Sequence, residues 1–139
     1  MTGKKVLIIE DNLLNLELVT DLLEANGFVV SSAQTAEDGL RIAHELLPDL
    51  ILMDFSLPGM DGLCATRHLK ADPATCRLLV VGLTANAMKG DEESALEAGC
   101  DGYLTKPINT RTFIGSVNKF IESAKLRSTN NQTLENYAK

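Results

Sequence analysis

The chain has 139 residues, 45% of them hydrophobic and 23% charged, which suits one globular domain with a substantial core and leaves little chain for a second folded module. A net charge of −6 and an isoelectric point near 4.8 argue against a nucleic-acid binder, because phosphate backbones are held by clustered Lys and Arg. No apolar stretch is long enough to span a bilayer and the start lacks a signal-peptide h-region, so the chain is expected in the cytoplasm with no membrane partner.

Short apolar runs alternate with amphipathic stretches, the pattern of βα units that build a parallel sheet covered on both faces. Val6-Leu7-Ile8-Ile9 is the first strand, a continuous apolar run that stops at Glu10-Asp11. Asn12 is placed to cap a helix in which Leu14, Leu18 and Leu22, flanked by Val19 and Leu23, recur at helical spacing, and Gly27 ends it. Phe28 to Ala33 gives the second strand. Thr35 with Glu37-Asp38 opens a second helix whose stripe is Leu40, Ala43 and Leu47, closed by Pro48. Leu50 to Met53 is the third strand and ends at Asp54.

The turn-rich segment Leu57-Pro58-Gly59-Met60-Asp61-Gly62 precedes a third helix through about Lys70, broken by Asp72-Pro73. Leu78 to Leu83 is the fourth strand, ending at Thr84. A fourth helix is expected over about Lys89 to Ala98, stopped by Gly99. Tyr103-Leu104 lies in a short fifth strand ending at Lys106-Pro107, and a last helix runs from about Thr110 to Ala124. The folded unit is therefore expected over residues 1–124, with 125–139 a polar, mobile tail.

Four of the five strands end on a reactive or ionic residue: Glu10-Asp11, Asp54, Thr84 and Lys106. In open parallel α/β sheets ligands bind beyond the carboxyl ends of the strands, and the order 2-1-3-4-5 brings these four ends together while leaving the silent second strand at an edge. Three carboxylates gathered there need a cation, and an all-oxygen set suits Mg²⁺, with Mn²⁺ as an alternative ion, rather than zinc. Asp54, on the central strand, is the best nucleophile for phosphoryl transfer; Lys106 and Thr84 are placed to contact the phosphoryl oxygens. Taken singly the motifs are weaker: an acidic pair suits any helix N-terminus, and Tyr103 needs no special role.

The motifs IIEDN, LILMDFSLPGMDG, GLTAN and YLTKP, in that order at those strand ends, closely resemble the response-regulator receiver family of two-component signalling over about residues 4 to 124. The wording EDNLLN, LTANAMKGDEE and AGCDGYLTKPI is similar to receivers of hybrid kinases and phosphorelays and to cell-cycle regulators of the DivK type. The resemblance implies a flavodoxin-like (βα)5 doubly wound fold. It implies Asp54 as phosphoacceptor, Asp11, Asp54 and the Ser56 carbonyl as metal contacts with Glu10 nearby, Lys106 as the phosphate-contacting base, and Thr84 with Tyr103 as a switch pair. It further implies a cis Lys106-Pro107 bond, and a role for Ser56 and Asn86 in tuning phosphate lifetime.

The expected function is a phosphorylation-activated single-domain regulator. A sensor histidine kinase or histidine phosphotransfer protein supplies the phosphoryl group, and the surface of the fourth helix, fifth strand and fifth helix engages a partner, as a monomer or a phosphorylation-dependent dimer. A phosphorelay intermediate is the alternative. A Mg²⁺-dependent aspartyl-phosphate phosphatase is disfavoured because Ser56 stands where such an enzyme needs a second acid, and a flavodoxin-like cofactor binder lacks a glycine-rich cradle. Cys64, Cys76 and Cys100 have no CxxC spacing and are expected reduced; His44 and His68 are expected on solvent-facing helix surfaces, and Met60 and Met88 in packing.

Overall fold

In the computed structural model, which describes residues 3–57, 59–85 and 89–124, five parallel strands form one sheet in the order β2-β1-β3-β4-β5. The strands are β1 (Lys5–Ile9), β2 (Val29–Ala33), β3 (Leu50–Asp54), β4 (Val80–Thr84) and β5 (Gly102–Thr105). Between them lie α1 (Leu13–Ala25), α2 (Ala36–Leu46), α3 (Gly62–Ala71) and α4 (Lys89–Ala98), and a last helix, α5, covers residues 113–124. The order matches the expectation, and element ends move by one to three residues. The tail from 125 on, Asn86 and Met88 lie outside the described residues.

The apolar strands are continuous because alternate side chains face opposite layers and both layers are dry. Val6, Ile8, Leu50, Leu52, Val81 and Leu83 pack with Val19 and Leu23 of α1 and Phe113, Val117 and Ile121 of α5. Their neighbours Leu7, Ile9, Ile51, Met53 and Val80 pack on the other side with Ala36 and Ala43 of α2, Ala65 and Leu69 of α3 and Ala95 of α4. Small residues dominate that second layer, and two glycines show why. A Cβ at Gly39 would meet the Ile9 side chain, and one at Gly82 would meet the Phe55 ring, so α2 and the Phe55 ring approach the sheet closely only because these positions lack side chains.

Two helical stripes differ from expectation. In α1 the buried residues are Val19 and Leu23, with Leu16 and Leu22 packed beside them, whereas Leu14 is 78% and Leu18 38% exposed. The chain carries more leucines than one face of a helix can bury, and periodicity alone did not say which side turns inward. In α2 the inward set is Ala36, Gly39 and Ala43, and Leu47 is the exposed cap, left-handed at φ 47°. Pro48 follows directly and disfavours continuation of the right-handed helix through Leu47.

Candidate phosphoacceptor site

Each loop at the carboxyl end of the sheet is shaped by a local device. After β1 the chain turns at Glu10, whose N–H donates to the Ala33 carbonyl at 3.0 Å; β2, silent in side chains, thus anchors the site through its backbone. Asn12 then caps α1, its Oδ1 accepting the N–H groups of Leu14 at 3.0 Å and Asn15 at 3.2 Å. After β3 the Phe55 N–H still donates to Leu83 O at 3.0 Å, and the Ser56 N–H folds back onto Asp54 Oδ1 at 2.9 Å. The loop closes where Asp61 Oδ1 accepts from Cys64 N at 2.8 Å to cap α3. A Cβ at Gly62 would collide with the Asp54 carbonyl, so α3 starts directly against the Asp54 backbone. After β5 the Lys106 N–H donates to Thr84 O at 2.7 Å, and the following Lys106-Pro107 bond is cis.

These loops bring Glu10, Asp11 and Asp54 together, with one carboxylate oxygen from each lying within 4.8 Å of the others. Glu10 and Asp54 are buried and Asp11 is exposed. Lys106 Nζ reaches Glu10 at 2.9 and 3.2 Å and Asp54 Oδ2 at 3.2 Å. Thr84 is buried at the end of β4, beside Lys106 through the main chain. Tyr103 is half-buried in β5, in register with Gly82. Ser56 is exposed and touches Asp54 through its N–H.

The charge count decides the chemistry. Three carboxylates face one ammonium, and burial together with these neighbours shapes the titration of Glu10 and Asp54. Burial and the hydrogen bond with Asp54 push Glu10 up to about 7, against the opposing donors Lys106 and Asn15. Burial also opposes ionisation of Asp54, but the bond from Glu10, the Ser56 N–H and the Lys106 charge outweigh it and hold Asp54 below the ordinary carboxylate range. For Lys106 burial favours the neutral amine, and its two acidic neighbours reverse that and raise its pKa. Of the two buried acids Glu10 therefore holds a proton more readily, and Asp54 favours the ionised form that a nucleophile needs. An all-oxygen set with surplus negative charge and an exposed acid at its mouth fits a hard divalent cation.

Sequence reasoning passed over Asn15, half-buried in the first turn of α1, whose side chain favours the ionised form of Glu10. Its signal was a polar residue within a leucine-rich first turn, three positions after the cap. His44 is exposed as expected, yet its ring is engaged: Nε2 meets Asp72 Oδ2 at 2.6 Å and Nδ1 the Leu40 carbonyl at 2.8 Å. Cys64 is half-buried, Cys76 exposed and Cys100 buried, and none is in a disulfide. Met60 packs against the second core layer.

Comparison with known proteins agrees with this arrangement. The family profile described as "Response regulator receiver domain" matches residues 6–118. The polar-differentiation response regulators DivK of Brucella ovis and Brucella abortus are each 42% identical over 121 residues, covering 87% of this chain and 98% of theirs. Among solved structures, a response regulator from Chloroflexus aurantiacus superposes with TM-score 0.83 at 27% identity, covering 87% of this chain and 99% of that one. The receiver domain of a sensor histidine kinase from Pseudomonas aeruginosa, described with a magnesium ion coordinated in its active-site cleft, does so with TM-score 0.80 at 34% identity and the same coverage. Among the described residues no helix is long and apolar enough to cross a membrane. Strand order, the converging acids and lysine, and these likenesses together make the chain a member of the response-regulator receiver family.

Proposed function

We propose that the chain is a phosphorylation-controlled signalling protein in which Asp54 takes a phosphoryl group from a phosphohistidine on a sensor kinase or phosphotransfer protein. The observation that carries this reading is the Asp54 carboxylate at the end of the central strand, 3.2 Å from the Lys106 ammonium, within a cluster whose acids outnumber its cations. One Asp54 oxygen forms the new P–O bond as the donor P–N bond breaks, leaving the electron pair on the imidazole nitrogen. Lys106 meets the anionic phosphoryl oxygens as a point charge, and Thr84 donates its hydroxyl to one of them. Glu10, Asp11, Asp54 and the Ser56 carbonyl would hold Mg²⁺. When bound, the ion neutralises charge on the transferring group and shields the carboxylate from it.

The protein's work is then binding rather than turnover. Loss of the Lys106 contact with Glu10 in favour of the phosphoryl group, with Thr84 and Tyr103 responding, changes the face made by α4, β5 and α5, where Leu96 is 62% exposed and open to a protein partner. Likeness to the kinase-borne receiver of Pseudomonas aeruginosa supports a second reading, a relay intermediate that returns the group to a histidine protein.

Intact-protein mass spectrometry after acetyl phosphate treatment tests the first step. One phosphoryl adduct is expected with Mg²⁺, and none in Asp54→Asn or with EDTA. An adduct that persists in Asp54→Asn would remove the assignment of the acceptor, and a wild type that binds no Mg²⁺ would remove the reading as a whole. Transfer from phosphorylated protein to a histidine phosphotransfer domain separates relay from endpoint.

A further inference from the structure

Two glycines on different elements make way for one residue, Phe55, which follows Asp54 directly. A Cβ at Gly82, in β4, would run into the far edge of the Phe55 ring, and a Cβ at Gly62, at the start of α3, would lie 2.9 Å from the Phe55 Cα. The Phe55 N–H is held as well, donating to Leu83 O at 3.0 Å. Residue 55 is therefore fixed at three points: its amide and its ring on β4, and its Cα against α3. Register explains the side of the sheet. Met53 pairs with Gly82, and Phe55, two residues on, turns to the same face and packs against the layer that holds Met53, Leu57 and Ala95.

This grip bears on the next stretch of main chain. The dihedral angles of residue 55 set where the Ser56 N–H points, and that N–H donates to Asp54 Oδ1 at 2.9 Å. Ser56 is itself exposed, so its side chain is not packed to hold it, and its position comes from its neighbours, Phe55 and the buried Leu57. Filling the core does not require the arrangement. Phe55 is only half-buried, and an alanine at 82 with a shorter residue at 55 would fill similar space.

We propose that Phe55, seated on Gly82, is a positioning residue that aims the Ser56 main chain, its N–H toward Asp54 and its carbonyl toward the bound cation, and so sets the affinity of the site for Mg²⁺. The part that concerns the cation rests on the receiver reading above; the part that concerns the Asp54 hydrogen bond stands without a metal. Groups that orient a metal ligand typically govern affinity by about 10–100-fold.

Amide NMR of the full chain, metal-free and through a Mg²⁺ titration, tests this on wild type, Phe55→Ala, Gly82→Ala and the double variant Gly82→Ala/Phe55→Leu, with the metal-free thermal midpoint of each. A leucine ends short of the ring edge and leaves room for the new methyl. Each single variant should move the Ser56 amide proton upfield as its bond to Asp54 is lost, and should weaken Mg²⁺ binding about tenfold or more. The double variant should recover both. Phe55→Ala introduces no clash and keeps the test decisive if Gly82→Ala does not fold. A wild-type Ser56 amide or wild-type affinity in Phe55→Ala overturns the proposal, as does a double variant that melts like wild type yet recovers neither property. Absence of Mg²⁺ binding in the wild type removes the receiver reading instead, and the metal-free Ser56 amide still decides whether Phe55 positions it.

Discussion

The two ends of β4 and β5 each carry a lysine among acids, and they are built on opposite plans. At the amino ends Lys70 Nζ meets Asp101 Oδ2 at 3.0 Å and the Leu78 carbonyl at 2.7 Å, and the same Asp101 oxygen accepts the Val80 N–H at 2.9 Å. One cation faces one anion, and the Leu78 carbonyl and Val80 N–H join them. At the carboxyl ends Lys106 faces Glu10 and Asp54 with Asp11 beside them. The first arrangement is closed and braces the fold; the second carries a deficit that a cation corrects. Similar side chains do structural or chemical work according to whether their charges balance.

The largest expected effect comes from crowding the unbalanced end. Gly62→Ala drives a Cβ into the Asp54 carbonyl, and it should cost about 3 kcal/mol in urea unfolding and abolish the phosphoryl adduct. Gly99→Ala at the balanced end meets the Lys70 side chain, its Cγ nearest at 2.9 Å, but must hold φ at 99°. It should cost about 1–2 kcal/mol and leave the adduct intact.

Removing one acid from each end sharpens the contrast. Asp101→Ala leaves Lys70 and the Val80 N–H without their partner and should destabilise by about 2 kcal/mol with or without Mg²⁺. Glu10→Gln relieves repulsion and should stabilise the metal-free protein at pH 8 by about 1 kcal/mol while weakening Mg²⁺ binding. Equal losses from both variants in metal-free denaturant melts would erase the distinction drawn here.

The same asymmetry predicts a pH response. Glu10 binds its proton more tightly in the fold, with its pKa raised by burial from 4.5 to about 7, so the associated stabilisation is complete below pH 4.5 and is lost as pH rises through 7. Metal-free thermal midpoints should therefore fall between pH 6 and 8. Apparent Mg²⁺ affinity should rise over the same range, because the ion competes with that proton. A flat affinity profile would show that Glu10 takes no part in holding the ion.

The smallest effect belongs to His44. Its Nδ1 faces the Leu40 carbonyl and its Nε2 faces Asp72, two acceptors that favour the protonated ring, and the bond to Asp72 raises its pKa above 6.5. The stabilisation is present below 6.5 and fades as pH rises through the raised value. NMR titration of the imidazole should show the upward shift, and Asp72→Asn should remove most of it.

The sheet and the convergence of Glu10, Asp11, Asp54 and Lys106 at its carboxyl end were legible in the sequence because they depend on local patterns. A strand buried on both faces must be apolar throughout, as Leu50 to Met53 is, and a reactive residue at its end marks the exit to the site. Caps such as Asn12 and Thr35 were equally plain, since a side chain that takes up orphan N–H groups acts within its own turn. The inward side of α1 was not legible: leucines at 14, 18, 22 and 23 satisfy helical spacing on more than one side, and only packing against β1 and β2 chose Val19 and Leu23. Nor could any local pattern set the His44–Asp72 pair across 28 residues or close the Lys70–Asp101 balance across 31. By itself the sequence determined the strands, their order of chemistry and the surplus of acid. The tertiary structure alone decided which charges meet, because a charge contact depends on distances that close only when separate βα units are packed together.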